Sequence, residues 1–205
     1  MYALPEMNWM PLSELRALAV DNHALSYLPN DLAYLAKLRS LSLCNNNFTS
    51  LPEIILKLRR LTHINISGNT INELPCSLFT KCRNLIKLEA ANCGLSGLPV
   101  EISLCRIQTL NISGNNFQSI PVELYLNCAE TALEVLNLDD NEIVWIPRHI
   151  NVLKNLTTLS LAGNKIKGFP SIDSLKKLRM LNLQRNPVKG VLKESASDEQ
   201  YIVRY

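Results

Sequence analysis

One pattern, repeated eight times, limits what this chain can fold into. An apolar-x-x-apolar-x-apolar-x-x-Asn frame opens at Leu15, Leu38, Leu61, Leu85, Ile107, Leu133, Leu156 and Leu178, at spacings of 23, 23, 24, 22, 26, 23 and 22 residues. Self-similarity at such a period means stacked supersecondary units, none able to bury its apolar face alone. Within each frame the fourth and sixth residues alternate as a short strand should, facing inward, while the third and fifth face outward onto a shared surface. Asn closes the frame in six units, at 46, 69, 115, 141, 164 and 186. Its amide both donates and accepts, so it suits buried peptide groups of the turning chain. His23 and Cys93 stand in its place in the first and fourth units, which predicts a less regular ladder there.

A second mark follows thirteen residues into each unit. Leu28-Pro29, Leu51-Pro52, Leu74-Pro75, Leu98-Pro99, Ile120-Pro121, Ile146-Pro147 and Phe169-Pro170 pair an apolar residue with proline. Proline pre-sets φ for a first helical turn, so the apolar run after it predicts a short helix or 3₁₀ turn opposite the strands. The expected architecture is an α/β solenoid, a right-handed horseshoe with a concave parallel sheet and short helices or 3₁₀ turns on its convex side. Residues 1–14 are expected to form a degenerate N-terminal cap with Trp9 over the first core layer, 15–190 the eight repeats, and 191–205 a C-terminal cap or partner-binding tail.

The quoted frames, LRSLSLCNNNF (38–48) and LTTLSLAGNKI (156–166) among the best, resemble the leucine-rich repeat (LRR). With the Leu-Pro convex segment, the resemblance is to the intracellular 23-residue class of Ras-group-type LRR proteins and short bacterial LRR effectors. It covers roughly residues 4–190. It implies protein binding on the concave face, as inhibitor or adaptor, in the bacterial case by occluding another protein's working surface. Bacterial LRR ubiquitin ligases are similar only in the repeat, which is roughly 20 residues long in them, so no ligase activity is expected.

Composition narrows the classes further. At 205 residues, 47% hydrophobic, the chain can bury a continuous core, and its formal charge is only +3. The opening residues MYALPEMNWMPLSEL lack a basic start and a long apolar run, so no secretory leader and no membrane span are expected. Cysteines 44, 76, 82, 93, 105 and 128 all fall inside the repeats, unlike the cysteine-clustered caps of secreted LRR proteins. A reducing, cytoplasmic compartment is the expectation, or the host cytosol for a secreted effector.

The recognition surface is sought at outward positions, where the middle units are the most individual. Candidates are His63, Lys87, Glu89, Asn111, Val135, Asn137, Asp139, Asp140 and Glu142. Five acids against three bases on this face suggest a basic or mixed-charge protein partner. Trp145 stands where other units carry Ser50, Glu73, Gly97, Ser119 or Gly168; exposed, it is a hot-spot candidate, and otherwise it packs on neighbouring loops. Catalytic chemistry is not expected: His23, His63 and His149 lie in separate units, and the cysteines lack zinc spacing. Nor does Ser-Gly-Asn at 67–69 and 113–115 lead into a phosphate-loop lysine. No cofactor, metal, small-molecule substrate or nucleic acid is expected. The alternative is an electrostatic membrane or nucleic-acid binder using the basic clusters at 57–60, 81–83 and 176–179.

Overall fold

The computed structural model describes residue 4, residues 8–126 and 132–188, and the backbone of 202–204. Nine three-residue strands form one all-parallel sheet in sequence order. They are β1 (Ala17–Ala19), β2 (Ser40–Ser42), β3 (His63–Asn65), β4 (Lys87–Glu89), β5 (Thr109–Asn111), β6 (Val135–Asn137), β7 (Thr158–Ser160), β8 (Met180–Asn182) and β9 (Ile202–Arg204). The first eight begin two residues after the eight frame starts. The register never slips: Ala17 pairs with Ser40, Ser40 with His63, His63 with Lys87, and so on to Met180 with Ile202. A one-residue slip would turn the central Leu or Ile of a strand out of the core, so the apolar pattern itself fixes this alignment.

Return segments run along the opposite side. After Pro29, Pro52, Pro99, Pro121 and Pro147 the chain makes 3₁₀ turns (Asn30–Tyr34, Glu53–Lys57, Val100–Leu104, Val122–Leu124 and Arg148–Val152). The 24-residue third unit makes an α-helix instead, α1 (Cys76–Lys81). Its extra residue allows the wider ring: Cys82 N donates to Leu78 O at 2.8 Å, an i to i−4 bond. The extra residues of the 26-residue fifth unit fall near 127–131, outside the described residues.

Between sheet and turns lies one continuous core. Leu41, Ile64, Leu88, Leu110, Leu136, Leu159 and Leu181 form its strand layer, and Phe48, Phe79 and Phe117 are its largest fully buried side chains. Trp9 closes the N-terminal end, 5% exposed. At the other end Ile202–Arg204 pairs with β8, so part of the tail continues the sheet. The remainder of the expected C-terminal cap, 191–201 and Tyr205, lies outside the described residues.

The asparagine ladder forms. Asn69 Nδ2 donates to Leu43 O and Ile66 O at 3.0 and 2.8 Å, and its Oδ1 accepts from Phe48 N at 3.0 Å. Asn141 repeats the arrangement with Ile112 O, Leu138 O and Phe117 N. Cys93 keeps the donor arm, its thiol reaching Ile66 O at 3.3 Å. His23 is exposed and turns back onto the Asp21 carbonyl.

Candidate partner-binding surface

The eighth residue of every unit takes a left-handed backbone conformation. Asn22, Asn45, Gly68, Asn92, Gly114, Asp140, Gly163 and Arg185 have φ between +53° and +70°. Only Gly, and to a lesser degree Asn and Asp, adopt it at little cost, hence their predominance. The chain turns sharply there, leaving the strand floor for the flank. Asn or Asp then leans over the next unit's glycine: a Cβ on Gly163 would stand 2.1 Å from Asp140 Oδ1, and one on Gly68 at the same distance from Asn45 Oδ1. Across Gly163, Asp140 reaches Arg185 two units on, at 2.8 Å.

The register brings the candidate residues together. Lys87 and Glu89 lie on β4 beside His63 on β3, Glu89 aligns with Asn111, Asn111 with Asn137, and Thr109 with Val135. Within the sixth unit Val135, Asn137, Asp139, Asp140, Glu142 and Trp145 follow one path from the sheet, over the turn, to the flank. Trp145 is 57% exposed. Its counterparts in the adjoining units are Ser119 and Gly168, and a Cβ on Gly168 would meet nothing within 4 Å. Tyr27 occupies the same slot in the first unit, 45% exposed.

Charges on this surface are satisfied within it. Lys87 pairs with Glu89 at 3.1 Å and Lys165 with Glu142 at 3.4 Å, all partly exposed. With Asp140–Arg185, these pairs consume three acids and three bases. The two acids left over serve the scaffold. Asp139 Oδ1 accepts from Ser160 Oγ at 2.7 Å and Ala162 N at 2.6 Å; Asp21 does the same with Ser42 Oγ and Cys44 N. Each is a clamp from the seventh position of one unit to the fifth and seventh of the next. Asn111 and Asn137 are likewise engaged, their Oδ1 atoms accepting from Ser113 N and Asp139 N at the strand ends. In the sequence, Asp139, Asn111 and Asn137 read as free outward polar groups. The signal for the clamp was present as Asp followed by Ser 21 residues later, at 21/42 and 139/160.

Burial sets the thiol chemistry. Desolvation pushes Cys82 and Cys105 up to about 11 and raises Cys44 and Cys93, so these sulfurs are neutral thiols at physiological pH. Among the described residues no group of three His, Cys, Asp or Glu side chains is placed to hold a metal ion. His149 stacks on Tyr125, ring centroids 6.4 Å apart. No described helix is long and apolar enough to cross a membrane.

Solenoid, in-register sheet and asparagine ladder are those of a repeat scaffold, and the comparisons agree. Leucine-rich-repeat family models match residues 36–95 and 131–188, with a further repeat at 106–128. The chain belongs to the leucine-rich repeat family, whose fold generally mediates protein–protein interaction. An LRR protein of Leptospira interrogans is 32% identical, with a TM-score of 0.79 over 86% of this chain. This chain spans 45% of the length of that relative. Internalin C2 of Listeria monocytogenes superposes with a TM-score of 0.78 over 95% of this chain and 82% of its own, at 21% identity, a likeness of fold alone. No curated protein matches.

Proposed function

We propose that this chain is a non-enzymatic protein-binding module whose partner seats on the middle of the concave sheet and wraps over the turn of the sixth unit onto Trp145. The observation that carries this reading is the indole itself, more than half exposed and flanked by serine and glycine in the neighbouring units. Holding so large an apolar ring in water has no use within the scaffold, and burying it in a partner recovers the cost. His63, Lys87, Glu89, Asp140 and Glu142 supply the surrounding polar contacts and Val135 an apolar one, while Asp139, Asn111 and Asn137 shape the surface from beneath. Because the exposed charges come as opposite-sign pairs, the partner carries mixed charge and re-pairs them, which favours specificity over raw affinity. Occupying such a surface makes the module an inhibitor or an adaptor. The free thiols at 44, 76, 82, 93 and 105 suit a reducing compartment such as the cytosol, of a host cell if the chain is a delivered effector.

The test is affinity capture with wild type beside a Trp145→Ala, Glu89→Lys double variant, both monitored by circular dichroism. Glu89 is chosen over Asp140 because Asp140 holds a left-handed turn. A protein retained by the wild type and lost with the folded double variant supports the reading. Equal retention by both places the interface elsewhere.

A further inference from the structure

The flank on which the chain enters its strands differs in charge from every other surface. The second residue of each unit forms an unbroken row there. Arg39 N donates to Arg16 O, Thr62 N to Arg39 O, and so on to Arg179 N and Thr157 O, each step 2.8 Å. A row this uniform spaces the units regularly along the flank. The residues along it and just before it are basic: Lys37, Lys57 to Arg60, Lys81 to Arg83, Arg106, Lys154 and Lys176 to Arg179, all of those Lys and Arg side chains exposed. Six of the seven junctions between units contribute at least one; the exception is the junction carrying Glu134. Of the other acids beside it in the described residues, Glu14 is bound to Lys37 and Glu53 stands among Lys57, Arg59 and Lys81. The formal charge of +3 therefore conceals a segregated distribution, with a cationic edge set against acids on the turns and opposite flank.

Two further features say what this edge meets. Lys57, Arg59 and Lys81, three bases against the one acid Glu53, converge on a hollow of about 420 Å³ whose walls include Ile54 and Leu56. In the corner row that begins with Tyr34 and Lys57, the third unit places Thr80, and the fourth and fifth place Leu104 and Leu126, 45% and 54% exposed. The edge is thus cationic with aliphatic side chains at its rim. A surface for single-stranded nucleic acid calls for aromatic platforms to stack bases, and of this corner row only Tyr34 is aromatic. Regularly spaced cations across most of the solenoid and adjoining exposed leucines match the headgroup and upper acyl layers of a bilayer.

We propose that the strand-entry flank is a peripheral docking surface for anionic lipid bilayers, with Lys57, Arg59, Lys81 and Arg83 at its centre and Leu104 and Leu126 entering the headgroup boundary. The contact leaves the concave sheet and Trp145 facing away from the lipid, so it is independent of the protein-binding reading and compatible with it. It would hold the module at a membrane while the other face recruits its partner.

Vesicle flotation of the full chain tests this, with phosphatidylcholine alone or with about a third phosphatidylserine. Wild type is expected to float with the anionic vesicles at low salt and not with the neutral ones. An Arg59→Glu, Lys81→Glu, Arg83→Glu variant, shown to melt like wild type, is expected to bind at least about tenfold more weakly. Leu104→Ser with Leu126→Ser is expected to remove the fraction that stays bound at roughly 0.5 M salt, where Coulombic attraction is screened. The proposal is overturned if wild type ignores anionic vesicles, if it binds neutral ones as well, or if charge reversal changes nothing. Stronger binding to an oligonucleotide than to vesicles, unaffected by the leucine changes, overturns it in favour of nucleic acid.

Discussion

A single side chain can close several gaps in a turning backbone, and Asn141 shows how much rests on one. Its amide donates to Ile112 O and Leu138 O and accepts from Phe117 N, all in the buried turn between units. Alanine there strands those groups without water, so Asn141→Ala should cost about 3 kcal/mol in urea unfolding; a loss under about 0.5 kcal/mol would show that the ladder is dispensable. Gly163 presents the converse. Its φ of +65° and the Asp140 carboxylate over it leave no room for a Cβ, so Gly163→Ala should destabilise by about 1–3 kcal/mol and break the Asp140–Arg185 pair. If the crowding is the cause, Asp140→Gly made on top of Gly163→Ala should recover part of the loss. Cys82 and Cys105 carry a pH signature. Their folded values near 11 lie above the ordinary thiol value of 9.0, so the native state keeps protons that the unfolded chain releases. Stability is accordingly full below about pH 9 and falls as pH rises toward 11. Melting temperatures across that range should fall less steeply for Cys82→Ala than for wild type.

Strands, turns and the asparagine rungs were legible because each repeats with the period, and eight copies average out the irregular ones. Inter-unit clamps were not, since Asp21 and Asp139 occur in only two units and look like outward acids when each frame is read alone. Their role depends on a serine one unit later, a relation between elements that a single frame does not contain. This divides the candidate surface into side chains that build it and side chains that can meet a partner. Asp139→Ala removes bonds to Ser160 and Ala162 and should lower stability by about 1–2 kcal/mol while leaving partner capture intact. Lys87→Glu with Glu89→Lys should do the reverse, since an exposed pair contributes little to folding when swapped within itself. Capture lost with Asp139→Ala at unchanged stability would return Asp139 to the binding surface.

A solenoid adds its stability unit by unit, each contacting only its neighbours, so its ends govern the whole. The N-terminal end is closed by Trp9, a residue whose place beneath the first layer follows from its size and its position before the first frame. The C-terminal end was open in the sequence, because Ile202-Val203 follows a polar run and departs from the eight frames. Its placement depends on pairing with a strand 22 residues earlier, and Met180 does align with Ile202, Leu181 with Val203 and Asn182 with Arg204. If that pairing is what covers β8, deleting residues 189–205 leaves the N–H and C=O groups of β8 on its outer side to water and to other chains. An unpaired edge beside a freshly exposed apolar layer is a template for association. The truncated chain should therefore melt lower than the full one and sediment as larger species with rising concentration, the full chain showing less of either. Equal melting and a monomer at every concentration would mean that β8 ends the solenoid without help, and that the last residues are available to a partner.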